Sequence, residues 1–473
     1  MLPRAEPRPP GQRSARHTRS RILAGRVAWS LLGNAAYALS QWLVVISLAR
    51  LGTPTMVGQY TLGLAIGTPI VLLASLALRN VLVTDRASGY RFATYLRLRV
   101  GCMTAAFAAI VVVAVTVGTD TTMVIVLVGA AKAVDGLADM YYGLFQRQGQ
   151  MRLIGISMTV NAVLTTVLVA TVLATTGDLV WAVTGSVAAS ALAGAVCWSQ
   201  RSWSSGTGSD SGTGSDSGSP QVGSTLGLRP LVLLAVPVGL ASSLTAFAVS
   251  IPRYAVEATL GTAELGVFAA LGIVVVAAST TTGALAQVLL PAMTRLWTAR
   301  RADRLWTLTW QLVAAAMVGG AVVVPLAMVW GRDVMGLLYG PLYAGHAGIL
   351  VILTVAVAVQ TAVYFLDTAL LAMRRFGTEL FAAVVMVLTA APAALLVPQY
   401  GLAGAAWAVT IPAVVQFLHK SVLVYRALRT GIVGGRNRAK DQAAVRATAQ
   451  PPHEERPRWT HTPVSESMRS SAP

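Results

Sequence analysis

Charge is scarce in this chain. Asp, Glu, Lys and Arg together make up 11% of its 473 residues, against about 25% in an ordinary soluble domain. A globule folded in water is therefore excluded. Cysteine is nearly absent as well: Cys102 and Cys197 both lie inside apolar runs. That excludes a disulfide framework and a thiolate metal centre and leaves both as packing residues. The sequence contains no GxxxxGK[ST] phosphate loop, no HExxH, no Cys/His ligand cluster and no GxSxG. ATP hydrolysis, zinc chemistry and serine-hydrolase chemistry thus lack their signatures, and the chain is expected to bind no metal or cofactor and not to be an enzyme.

What is present is hydrophobic length. Apolar residues make up 55% of the chain, and the mean hydropathy is +0.65. Runs long enough to cross a bilayer are expected at 27–49, 60–84, 100–117, 122–145, 153–173, 180–198, 231–250, 264–290, 307–330, 347–371, 379–397 and 403–425. In lipid each must be helical, since no water is present to satisfy its backbone groups. The basic residues fall on alternate loops: those at 86–99, 147–152, 201–229, 295–304 and 374–375 hold 14, and the others hold only Arg50, Arg253 and Arg332. The positive-inside rule then places both termini in the cytoplasm. The expected class is an all-α, multi-pass membrane protein of about 12 transmembrane helices.

The net charge of +18 is concentrated at the ends. Seven arginines face one glutamate in 1–26, and eight arginines and one lysine face four acids in 426–473, so the tails carry +11 of the total. Both tails read as disordered cytoplasmic arms. They serve as topology signals and meet anionic membrane lipids; no nucleic-acid role is expected. The long Arg-rich lead and the absence of a small-residue cleavage site after the first run argue against a cleaved signal peptide.

Residues 199–228 form a Gly/Ser-rich linker in which TGSDSG occurs twice. Such a segment behaves as flexible coil. It divides the chain into a six-helix lobe over 27–198 and a second over 229–425. The lobes echo each other: LGTPTMVGQYTLGLAIG from Leu51 aligns, with one gap, to LGTAELGVFAALGIVV from Leu260, matching Gly58 with Gly266 and Tyr60 with Phe268. Six spans per half make this a parallel repeat, and transporters built so carry their substrate path between the halves.

The stretch ARLGTPTMVGQYTLGLAIGTPIVLLASLALRNVLVTD (49–85) resembles the opening of bacterial polysaccharide-biosynthesis flippases, members of the multidrug/oligosaccharidyl-lipid/polysaccharide exporter superfamily. IPRYAVEATLGTAELGVFAALG (251–272), LLPAMTRL (289–296) and LLYGPLYAGHAGILVIL (337–353) resemble later landmarks of that family. The resemblance runs from about 27 to 425. It implies two lobes around a central cavity in the bacterial inner membrane, and movement of a lipid-linked oligosaccharide precursor from the inner to the outer leaflet. Where family members often carry an acidic residue, this chain has Pro252 before Arg253, so the resemblance supplies no ion-coupling residue there. The alternative within the superfamily is a proton- or sodium-coupled antiporter of small molecules or drugs. A non-transporting scaffold is the third reading.

Ionisable groups at bilayer depth are costly, so each requires a reason. In the fourth span Lys132, Asp135 and Asp139 share one helix face, continued by Gln146. They read either as a charge-balanced cluster facing water between the lobes, with Lys132 for a diphosphate and Asp135 or Asp139 for a coupling H⁺ or Na⁺, or as an internal pair tying the helix to its own lobe. Arg79 suits a diphosphate or snorkels to headgroups. Arg253 either binds substrate or pairs with Glu257 at i,i+4. Asp367 lies on a stripe with Gln360 and Tyr364, unpaired in its span, as a further ion-coupling candidate. Asn34 and Gln41 share a face suited to bonds between helices. Pro69, Pro237, Pro325, Pro392 and Pro412 are expected to kink their spans.

Overall fold

The computed structural model describes residues 11–84, 92–118, 121–207, 228–373 and 378–448. Among them helix is joined only by short turns. In chain order the helices are α1 (Gly11–Leu51), α2 (Pro54–Ser75), α3 (Leu78–Thr84), α4 (Phe92–Val117), α5 (Thr122–Arg147), α6 (Met151–Thr176), α7 (Leu179–Thr207), α8 (Leu228–Leu260), α9 (Thr262–Thr298), α10 (Ala302–Tyr339), α11 (Pro341–Ala344), α12 (Ala347–Ala372), α13 (Thr378–Ala394) and α14 (Val397–Thr448).

Ten segments are long and apolar enough to cross a membrane, α2 and α3 counting together as one. Two more helices complete the twelve. α5 has the length, but every span-length window in it contains Lys132, Asp135 and Asp139. α13 is apolar but only 17 residues long.

Helix continues through 11–26 and 426–448, where disorder was expected. These segments extend spans already formed, so their Ala- and Arg-rich backbone needs no new nucleus. The tail ends 1–10 and 449–473, the linker core 208–227, and the loop arginines Arg86, Arg91, Arg374 and Arg375 lie outside the described residues.

The halves share one packing scheme. In the first, α1 packs on α6, α4 on α5, α2 on α5, and α7 on both α5 and α6; in the second, α8 packs on α13, α10 on α12, α9 on α12, and α14 on both α12 and α13. Between them α2 meets α8 and α9, while α1 meets α9. The match of α2·α8 to α9·α1 is a pseudo-two-fold, as the aligned LGT segments predict.

That symmetry is sharpest where α2 and α9 begin. A Cβ added to Gly58 would stand 1.9 Å from the Thr262 carbonyl oxygen, and one added to Gly266 would stand 1.8 Å from the Pro54 oxygen. Each aligned glycine thus receives the other half's first turn. Around this crossing Trp42 Nε1 donates to Tyr339 Oη at 3.0 Å, Arg50 donates to the carbonyls of Leu337 and Leu338, and Tyr254 Oη donates to Ala65 O. The largest apolar core joins the halves here, with Val44, Tyr60, Phe268 and Leu353 all buried. One end of the molecule is therefore shut across both halves. A second core, around Leu305, Leu366 and Val424, belongs to the C-terminal half.

Candidate functional site

α2 does not run straight to its end. Leu76 and Ala77 adopt left-handed φ values of +48° and +47°, a conformation that non-glycine residues seldom take. The break leaves the Ser75 carbonyl without an intrahelical partner and redirects α3, so that Arg79 points back at α5. Arg79 Nη1 donates to Asp139 Oδ1 at 2.8 Å, and its Nε and Nη2 donate to Gln146 Oε1 at 3.2 and 3.1 Å. Arg79 thus faces a cavity instead of snorkelling outward.

Arg99 completes this cluster. The third span starts at Phe92 instead of 100, so Arg99 belongs to a helix and not to a loop, and its side chain is 2% exposed. Nη1 caps Ser75 O at 2.6 Å, Nε donates to Gly136 O at 2.8 Å, and Nη2 donates to Asp139 Oδ2 at 3.2 Å. Asp139 therefore bridges two guanidiniums, one on each oxygen.

The expected grouping of Lys132 with both carboxylates is corrected. Lys132 Nζ donates to Tyr37 Oη at 3.0 Å and stands 4.0 Å from Asp135, while Asp139 goes to the arginines. Asn161 Nδ2 donates to Asp135 Oδ1 at 3.2 Å. The reason is reach: two arginines from other helices arrive at Asp139 with fixed forks, and Lys132 is left with the carboxylate one turn away. A cavity of about 440 Å³ joins the two groups and is closed on its far side by Gly239 and Ser242 of α8. Its lining comes from the N-terminal half and from α8 of the other, and Lys132, Asp135 and Asp139 of α5 are part of it. A pocket of about 20 Å³, one water's worth, adjoins it beside Ser40, Gln41, Asp135 and Asn161.

The C-terminal half contains its own cavity of about 490 Å³, lined by Arg253, Gln360, Tyr364, Asp367, Glu379 and Lys420 among others. Two expectations change here. Asp367 is not unpaired: Lys420 of α14 forms an ion pair with it. Arg253 does not pair with Glu257, whose carboxylate accepts instead from the Thr262 hydroxyl at 2.7 Å; among the described residues Arg253 has no ion-pair partner. The helix turn that sets Glu257 toward Thr262 leaves Arg253 facing the cavity. Asn34 bonds within its own helix, to Ser30 O at 2.7 Å, and Cys197 packs with its thiol on Ser157. Pro69, Pro237, Pro325, Pro392 and Pro412 all lie inside helices.

Arg99 counts only as a loop arginine in the sequence, and Lys420 carries no role there, although both are basic residues next to or within apolar runs. Lys420 inside 403–425 was a visible signal, being opposite in sign to Asp367. Lys420→Met is expected to destabilise the protein by about 2–3 kcal/mol, since Asp367 keeps only partial access to water. Adding Asp367→Asn to it should restore most of the loss, which a double-mutant cycle on thermal unfolding in detergent measures.

Comparison with known proteins agrees with this architecture. Residues 23–297 match the model of a family described as polysaccharide biosynthesis protein. The capsular polysaccharide biosynthesis protein CapF of Staphylococcus aureus is 26% identical over 388 residues, covering 81% of this chain and 94% of that protein. The inward-facing conformation of a multidrug resistance MATE family transporter of the MOP superfamily superimposes with a TM-score of 0.62 at 16% identity, covering 83% of this chain and 96% of that one. The Vibrio cholerae MATE transporter VcmN in its bent form gives 0.55 at 14% identity, covering 87% and 98%. A family match over more than half the chain and a set of span-length apolar helices lead to one assignment: the chain belongs to the polysaccharide biosynthesis protein family and is a multi-pass membrane protein that shares its fold with MATE transporters.

Proposed function

We propose that this protein is a flippase that moves a lipid-linked oligosaccharide precursor from the inner to the outer leaflet of the bacterial plasma membrane, for assembly of a surface polysaccharide. The observation that carries the reading is the charged cavity among the apolar helices, lined by Arg79, Arg99, Lys132, Asp135 and Asp139 of one half and by Gly239 and Ser242 of the other. A soluble drug needs a pocket; a headgroup tethered to lipid needs a polar crevice between lobes, with its tail left in the bilayer. The excess of arginine on alternate loops supports an orientation with both termini toward the cytoplasm. In this state the headgroup enters beside Arg79 and Lys132. The lobes then rock about the pseudo-two-fold, the crossing parts, and the headgroup leaves outside past Arg253. Asp135, Asp139 and Asp367 are the carboxylates available to a coupling H⁺ or Na⁺, and the membrane potential supplies about 2.3 kcal/mol per charge per 100 mV. The basic tails hold the ends against anionic lipid, and the linker 199–228 tethers the two lobes.

The test is translocation in proteoliposomes of a fluorescent polyprenyl-diphosphate oligosaccharide, scored by loss of access to an external quencher. Lys132→Gln is expected to slow it by about tenfold or more, because the site loses its central cation at a cost near that of an interhelical charge contact. Transport of a lipophilic cation drug with no movement of the sugar lipid would favour the antiporter. Unchanged function after joint replacement of Lys132, Asp135, Asp139 and Asp367 would point to a scaffold.

A further inference from the structure

The two arginines on Asp139 are not equivalent. The Arg99 side chain is 2% exposed and spends its three nitrogens on Ser75 O, Gly136 O and one oxygen of Asp139. The Arg79 side chain is 31% exposed, its partner Asp139 is 32% exposed, and both face the 440 Å³ cavity. Arg99 is fixed by fold; Arg79 is held by Asp139, by Gln146 and by the face of the Tyr142 ring, and of these Asp139 and Tyr142 line the cavity. Arg79 also stands two residues after the left-handed pair Leu76–Ala77. That break lies against the other half, where a Cβ on Gly239 of α8 would come within 2.9 Å of Leu76 Cα. Movement of Arg79 and movement of the lobes therefore share a joint.

We propose that Asp139 is a built-in counter-ion which an incoming diphosphate group displaces from Arg79, while Arg99 keeps hold of Asp139. This rests on the flippase reading and names the part of the substrate that is recognised. A planar guanidinium fork matches two phosphate oxygens as well as it matches a carboxylate and a carboxamide. The resting site is thereby satisfied by the protein's own acceptors, so Arg79 is never left bare in the cavity. Neutral sugars offer nothing that competes for the fork. Asp139 thus sets specificity: it is a threshold that only a multiply charged anion crosses. Once displaced from Arg79, its freed oxygen faces the cavity, and α3 is released from α5 to turn about Leu76–Ala77.

Binding of inorganic pyrophosphate, and separately of a polyprenyl diphosphate, to the full chain in nanodiscs tests this by calorimetry. Asp139→Asn is expected to tighten pyrophosphate binding about tenfold, and Arg79→Gln to weaken it by at least as much, corresponding to about 1.4 kcal/mol each. Gln146→Ala, which frees Nε and Nη2 and leaves Arg99 untouched, should tighten binding about threefold and gives the answer if Asp139→Asn does not fold. Weakened or unchanged binding in both Asp139→Asn and Gln146→Ala overturns the exchange. Tightening with inorganic pyrophosphate alone marks a free-anion site; tightening with both ligands marks the headgroup. Because affinity is read apart from translocation, exchange without movement of any sugar lipid would overturn the flippase reading only.

Discussion

Gly58→Ala and Gly266→Ala are each expected to spring open the end of the molecule where α2 and α9 cross. The added methyl would lie less than 2 Å from a backbone oxygen of the opposite half, and neither first turn has a side chain that can yield. Overpacking of this kind costs about 1–3 kcal/mol, which shifts a two-state balance by about 5- to 150-fold toward the state in which the lobes have parted. Spin labels at Thr55 and Ala263, in a background without Cys102 and Cys197, read this as a longer separation. Transport should fall in step, because a carrier that does not reseal that end cannot return. Gly272→Ala on the same helix is the control, since a Cβ there meets nothing within 4 Å. Unchanged label distances in both glycine variants would mean that the crossing is not a gate.

Arg99→Met is expected to give the largest loss of stability, about 3–5 kcal/mol, as for a buried ion pair broken from one side. Its guanidinium serves three acceptors on three segments: the freed end of α2, the Gly136 carbonyl in mid-α5, and Asp139. A methionine fills the volume but leaves the Ser75 and Gly136 carbonyls and one oxygen of Asp139 without their donor. Arg99→Lys should recover only part, because an ammonium cannot span the same fork. Arg97→Met, two residues earlier and exposed, should be near neutral. Thermal unfolding in detergent followed by size-exclusion chromatography separates these outcomes; equal stability of Arg99→Met and Arg97→Met would refute the structural role of Arg99.

The contrast between Arg97 and Arg99 shows how far the linear chain could be read. Both count equally in a tally of loop arginines, and that tally needs no more. Which of them is buried depends on where α4 begins and on how its face turns toward the break in α2, and neither is periodic in sequence. The α5 charges show the same limit. The 100° step placed Lys132, Asp135 and Asp139 on one face, and that face does line the crevice. Their partners came from α1, α3, α4 and α6, which no spacing within α5 reveals. Asp367 lacked a partner along its own helix and found Lys420 two helices later.

By itself the amino-acid order determined the all-α membrane class, a count of about twelve spans and the repeated LGT element. All of these follow from local hydropathy and from backbone groups that must be bonded in lipid. Only the tertiary structure decided that Gly58 and Gly266 interlock, that Asp139 is shared by two arginines, and that Arg253 faces its cavity with no ion-pair partner among the described residues. A contact between helices depends on rotation and depth, to which each side chain responds over a few ångströms, and those variables are set when twelve helices pack together and not by any one of them.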